Sequence, residues 1–156
     1  MISDKQHIAE LIDLCARKGV KNVVLSPGSR NAPLTICFDE HPDIRCYVVP
    51  DERSAGFVAL GMSLELDDPV AICCTSGSAS LNYAPAIAEA YYQKISLLVL
   101  TADRPVEWVD QGDGQTIRQR GIYRNYVNAS FELPQEPSHK DELWSSARIV
   151  NEAMHL

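Results

Sequence analysis

The chain has 156 residues, 46% hydrophobic and 22% charged, with a formal net charge of −7. A chain of this length buries a sizeable core as one domain, and its acidic balance argues against a nucleic-acid backbone or an anionic membrane as partner. No apolar run reaches the roughly 18–20 residues needed to cross a bilayer, and Met1-Ile2-Ser3-Asp4-Lys5 lacks the layout of a secretory signal.

Residues 4–18 predict an amphipathic helix. Ile8, Leu11, Ile12 and Cys15 recur at helical spacing, with Asp4 as N-cap and Gly19 as the stop. Residues 22–26 read as a buried strand, and 31–40 as a helix. Ile44 to Val49 alternates and predicts a second strand. A helix follows from Asp51 to Leu66, and its small residues Ser54, Ala55, Gly56, Ala59 and Gly61 predict close packing on a neighbour. Asp67-Asp68 is a turn, and Val70 to Cys74 a third strand, apolar on both faces. Thr75 to Ser78 is a polar turn into a helix over 79–93, where Pro85 predicts a kink or a place near the helix start. Ile95 to Leu100 is continuously apolar and predicts a central fourth strand. Residues 103–126 predict a long polar loop of the kind that often carries function. Ala129 to Leu133 predicts a last short strand, 134–137 a connector, and Lys140 to Met154 a terminal helix that marks a domain edge.

The βαβα alternation predicts an α/β fold: a doubly wound parallel sheet with helices on both sides, in a single three-layer domain. Five cysteines (Cys15, Cys37, Cys46, Cys73, Cys74), odd in number and set in apolar runs, predict buried, reduced thiols and a cytoplasmic protein.

Four polar clusters follow successive strands: Ser26-Pro27-Gly28-Ser29-Arg30, Asp51-Glu52-Arg53, Thr75-Ser76-Gly77-Ser78 and Thr101-Ala102-Asp103-Arg104-Pro105. In a parallel sheet all four share the carboxyl edge, where such sheets bind ligands. Any one alone reads equally well as a turn or cap. Pro27-Gly28 is a tight-turn pair, with glycine tolerating positive φ. Ser29 and Arg30 suit an anion, or form an ordinary corner with a solvent-facing arginine. Glu52 in a first helical turn either complements the helix dipole or faces a pocket or interface that binds a protonatable ligand nitrogen. His7, His41, His139 and His155 have no metal-ligand spacing. Asp110, Arg118, Arg120 and Arg124 read as solvated loop charges or as the lining of a substrate entrance. Trp108 and Trp144 read as packing residues or interface anchors, and Tyr91-Tyr92 as cover for the sheet or an interface.

Taken in order, Ser26–Arg30, Asp51–Gly56, Thr75–Ala79, Thr101–Pro105 and Gln115-Thr116-Ile117-Arg118-Gln119 resemble the N-terminal pyrimidine-binding domain of thiamine-diphosphate enzymes. The resemblance runs from residue 5 to residue 150 and is greatest to the branch acting in menaquinone biosynthesis. It implies thiamine diphosphate as cofactor. It implies Glu52 as the catalytic residue, hydrogen-bonded to the aminopyrimidine ring nitrogen and so promoting loss of the thiazolium proton. The implied substrates are 2-oxoglutarate, which is decarboxylated, and isochorismate, whose ring receives the succinyl carbanion. Thr75, Ser76 and Gly77 are implied cofactor contacts. Ser29, Arg30, Arg104 and Gln115 are implied contacts on the isochorismate side, where two arginine forks suit two carboxylates.

The chain departs from the family at Gly114, where the family has asparagine, so only backbone contact is expected there. Gly112-Asp113-Gly114 looks like the start of the family's metal and diphosphate motif. Residues 137–144 contain no asparagine to complete it, so it reads as a loop turn. No metal is therefore expected on residues 1–156. Mg²⁺ and the diphosphate are expected on a second domain that these residues lack. The resemblance also implies a site shared between subunits of a homodimer or homotetramer, and a fragment inactive by itself. Two other readings stand beside this one. Another carboligase, of the acetolactate-synthase kind, is disfavoured by Arg30 and Arg104. In a non-catalytic flavodoxin-like binding module, Glu52 would only stabilise a helix end.

Overall fold

Four short strands pair side by side and in parallel in the computed structural model, which describes residues 5–155. They are β1 (Asn22–Leu25), β2 (Arg45–Val48), β3 (Val70–Cys74) and β4 (Leu97–Thr101), in the order β2-β1-β3-β4. Side chains alternate across a strand, so β1 sends Val23 and Leu25 to one face and Val24 to the other. The first face is covered by α1 (Gln6–Arg17), α2 (Ala32–Glu40) and α6 (Lys140–Ala153), with Leu11, Ile12, Phe38 and Val150 in that core. The second is covered by α3 (Glu52–Leu66), α4 (Ser78–Asn82) and α5 (Ala84–Gln93), with Ala55, Ala59, Tyr83 and Ile87 packed on Ile72 and Cys74. This is the doubly wound, three-layer α/β domain that the alternation predicts.

Local chemistry sets the helix ends. Asp51 caps α3, its Oδ1 accepting from the Ser54 backbone N at 2.7 Å. The expected cap of α1, Asp4, lies outside the described residues; Gly19 follows that helix at φ +98°. A Cβ on Gly56 would lie 2.8 Å from the Cβ of Ala86, so α3 and α5 meet at the closeness its small residues predict. The helix expected over 79–93 is two helices. It breaks at Tyr83, and Pro85 sits in the first turn of α5, where its missing N–H costs no helical bond.

Several expectations are corrected. β4 is an edge strand of this sheet and half-buried along its whole length, although its sequence reads as central. An apolar run reports what a strand is made of, whereas strand order is set by distant pairings. Ala129 to Leu133 is irregular, and residues 129–132 are exposed; no strand edge pairs with them among the described residues. Trp108 and Trp144 are 54% and 67% exposed, so neither packs into the core, and of their two readings only that of interface anchors remains. Cys46 is half-buried, while the other four thiols are buried as expected. Among the described residues no helix is long and apolar enough to cross a membrane.

Candidate functional site

The parallel register brings the four polar clusters to one edge. Leu25 pairs with Val48 and Cys73, and Cys74 pairs with Thr101, so all four strands end together. The turns beyond them are stitched to their neighbours. Ser26 N donates to Cys73 O at 2.8 Å, Val49 N to Leu25 O at 2.9 Å and Ala102 N to Cys74 O at 3.0 Å. The Ser26 hydroxyl donates to Val49 O at 2.8 Å.

Thr75, Ser76 and Gly77 are buried at the centre of this edge. Gly28 packs directly on Thr75. Its φ is not positive, so glycine is required there for close approach and not for the turn conformation expected of it. Gly77 does need its freedom: its φ is +80°, and a Cβ there would lie 2.8 Å from the carbonyl oxygen of Gln115. The Ser76 hydroxyl donates to that same carbonyl at 3.0 Å. Gln115 therefore reaches the site through its backbone, and its side chain is exposed.

The buried Gln119 joins the turns after β3 and β4. Its Oε1 accepts from Gly77 N at 3.0 Å, and its Nε2 donates to Ala102 O at 2.7 Å and to Thr101 Oγ1 at 3.1 Å. Gln119 stands in a motif that carries the resemblance, yet sequence reasoning assigns it no role. The available signal was an amide side chain closing a polar motif.

Glu52 is the first residue of α3, beyond the end of β2, and is half-buried. Because Asp51 supplies the cap, the Glu52 carboxylate is not needed for it. Cys74 at the end of β3 senses that carboxylate. Burial pushes the Cys74 thiol up, and Cys73 and then Glu52 add to the effect. Ser29 and Arg30 are exposed at the start of α2 on the same edge.

Arg104 is half-buried and paired. Its Nε donates to Asp113 Oδ2 at 2.9 Å and to Thr116 Oγ1 at 3.2 Å, and its Nη2 also donates to Asp113 Oδ2. Asp113 is thus more than the loop turn its sequence suggests. Hydrogen bonds from Thr116 and Arg104 hold its carboxyl below the usual carboxylate range. Burial instead raises the neighbouring Asp103.

The rest of the long loop is anchored too. Tyr123 OH donates to Ser80 O, and Tyr126 packs edge-on against Tyr91 with ring centroids 6.4 Å apart. Asp110 pairs with Arg118, and Arg120 with Glu132 at 2.5 Å. A cavity of about 340 Å³ between α1 and α2 contains none of the predicted site residues.

These residues fit one half of the implied cofactor. Glu52 offers an ionisable acceptor suited to a pyrimidine nitrogen, on the same sheet edge as the small, hydroxyl-bearing turn of Thr75 to Gly77. Among the described residues there is no group of three or more His, Cys, Asp or Glu able to hold a metal.

Residues 8–122 match the family model described as thiamine pyrophosphate enzyme, N-terminal TPP binding domain. The chain is 53% identical over 154 residues to a protein of Bacteroides fragilis named 2-succinyl-5-enolpyruvyl-6-hydroxy-3-cyclohexene-1-carboxylate synthase, covering 99% of this chain and 28% of the relative. Proteins of the same name from Cytophaga hutchinsonii (54% over 151 residues; 97% of this chain, 27% of the relative) and Desulfotalea psychrophila (52% over 149 residues; 96% and 28%) are similarly close. The chain therefore spans about 28% of the length of such curated relatives. With the family match running through all four strands and through the turns that carry the candidate residues, the chain belongs to the thiamine pyrophosphate enzymes, within their N-terminal TPP-binding domain.

Proposed function

We propose that this chain is the pyrimidine-binding domain of a 2-succinyl-5-enolpyruvyl-6-hydroxy-3-cyclohexene-1-carboxylate synthase. The whole enzyme would join 2-oxoglutarate, with loss of CO₂, to isochorismate in menaquinone biosynthesis. The observation that carries this reading is one carboxylate, Glu52, and two arginines, Arg30 and Arg104, on the carboxyl edge of one parallel sheet. Relatives of that name at about half identity support it.

Thiamine diphosphate, when bound, supplies the electron sink that lets a 2-oxo acid lose CO₂. The chain's part is to bind and orient. Glu52 holds the pyrimidine ring nitrogen through a charge-assisted hydrogen bond, the strong kind. Thr75, Ser76 and Gly77 would supply a small, buried turn on the same sheet edge, held by hydrogen bonds to Gln115 and Gln119. Arg30 and Arg104 offer two permanent cations to the two carboxylates of isochorismate, with Ser29 and the Gln115 side chain as further polar contacts. A small 2-oxo acid acceptor would leave one arginine without a carboxylate.

Mg²⁺ and the diphosphate are held in this reading by a second domain of the longer protein. A homodimer or homotetramer brings the two half-sites together, so the chain alone neither turns over substrate nor binds the cofactor tightly. Five free cysteines, four of them buried, support a cytoplasmic location.

The test is turnover by the full-length protein supplied with thiamine diphosphate, Mg²⁺, 2-oxoglutarate and isochorismate. Formation of the cyclohexene carboxylate product is expected. Turnover of pyruvate alone would point to an acetolactate-type carboligase. No cofactor binding at all would point to a non-catalytic module.

A further inference from the structure

Among the described residues, Arg104 is held from one side. Asp113 Oδ2 accepts from Nε at 2.9 Å and also from Nη2, and Thr116 Oγ1 accepts from Nε at 3.2 Å. Thr116 in turn donates to Asp113 Oδ2 at 2.8 Å, which closes a three-residue cluster. All of these bonds fall on the Nε–Nη2 side of the guanidinium. Arginine presents a second fork, the Nη1–Nη2 edge, and among the described residues no hydrogen bond reaches Nη1. Because Nε and Nη2 both donate to Asp113 Oδ2 and Nε also to Thr116, these bonds hold the guanidinium along one edge and leave its terminal fork for another carboxylate.

The loop that presents Asp113 is itself fixed. Gly112 and Gln115 take left-handed conformations, with φ of +75° and +57°, on either side of it. The Gln115 carbonyl is clamped by Ser76, and Gln119 is tied to Gly77 and Ala102. The same loop therefore touches the turn assigned to the cofactor and the arginine assigned to the substrate. Gly114 brings no side chain, so the residues that aim Arg104 are Asp113 and Thr116.

We infer that Asp113, with Thr116, is a positioning residue that orients Arg104 so that its Nη1–Nη2 edge receives a carboxylate of the acceptor substrate. This rests on the synthase reading, in which that carboxylate belongs to isochorismate. Asp113 acts through Arg104 and touches neither substrate nor cofactor.

The experiment compares the full-length wild-type enzyme with Asp113→Ala, Asp113→Asn, Thr116→Val, Arg104→Ala and the Asp113→Ala/Arg104→Ala pair. Asp113→Ala is expected to raise KM for isochorismate roughly tenfold, the size of one charge-assisted hydrogen bond, with kcat and KM for 2-oxoglutarate within about twofold of wild type. Asp113→Asn, which keeps an acceptor oxygen, recovers part of that loss, and Thr116→Val gives a smaller rise in the same KM. The double variant should be no worse than Arg104→Ala alone, because both changes remove one interaction. An unchanged or lowered KM in Asp113→Ala, additive losses in the double variant, or equal changes for both substrates would overturn the inference. A lowered KM would mean that Asp113 competes with the ligand. Failure of wild type to use isochorismate would count against the synthase reading alone. Crystal structures of ligand-free full-length wild type and Asp113→Ala then decide the inference: a displaced Arg104 guanidinium supports it, and an unmoved one overturns it.

Discussion

A Cβ on Gly28 would lie 2.6 Å from the Cβ of Thr75, so the turn after β1 rests directly on the turn after β3. The Thr75 Cβ is fixed to its own backbone and does not swing aside by rotamer change. Gly28→Ala must therefore push two turns apart at the centre of the site. Overpacking of this kind costs about 1–3 kcal/mol. Urea denaturation of the variant should show a lowered midpoint with an unchanged slope; an unaltered midpoint would mean the turns do not touch.

Gln119 makes three hydrogen bonds that hold the turns after β3 and β4 together. Gln119→Ala leaves the Gly77 N–H and the Ala102 carbonyl without that partner. A buried polar group stripped of its partner costs about 1–3 kcal/mol, so a stability loss of at least that size is expected in chemical denaturation. Amide exchange at Gly77 should quicken in the same variant. Wild-type exchange there would show that Gln119 is not the clamp.

The thiols give a pH signature. Burial pushes Cys15 and Cys73 up to about 12 and Cys46 up to about 11, with Asp39 adding to the rise at Cys46. Only the thiolate reacts, so these three, and Cys74, which burial also raises, should react slowly with a thiol reagent in the folded protein at pH 8, while Cys37 is shielded by its burial. Cys46, the half-buried one, should react first, at a rate rising about tenfold per pH unit toward its pKa. Unfolding should release all five at once. Rapid labelling of any thiol in the folded protein at pH 8 would contradict this burial.

Much of the fold is legible in the sequence because its signals are local. Asp51 announces the start of α3 by its capping chemistry, Pro85 announces the break before α5, and Val70 to Cys74 announces a strand buried on both faces. The carboxyl-edge clustering of Ser26–Arg30, Glu52, Thr75–Gly77 and Arg104 follows from parallel topology alone. The misreadings concern distant partners. Leu97 to Thr101 has the composition of a central strand but lies at an edge, because strand order depends on pairings far away in sequence. Ala129 to Leu133 has strand-like residues but pairs with no strand among the described residues, although β2 and β4 both have open edges. The Arg104–Asp113 pair lies in irregular chain, where a spacing of nine carries no periodic signal and Gly-Asp-Gly reads as a turn.

In the synthase reading, Glu52 acts on the cofactor rather than on its own helix. The most direct measurement is the turnover of the full-length enzyme carrying Glu52→Gln, with 2-oxoglutarate, isochorismate, thiamine diphosphate and Mg²⁺. Asp51 keeps the cap, and loss of a charge from the first turn costs under about 1 kcal/mol, so the thermal midpoint should hardly move. Turnover should fall on the order of 10²–10⁴-fold, the usual worth of a positioned acid–base group. A variant that folds like wild type and keeps wild-type turnover would contradict the claim and return Glu52 to the role of a helix-end charge.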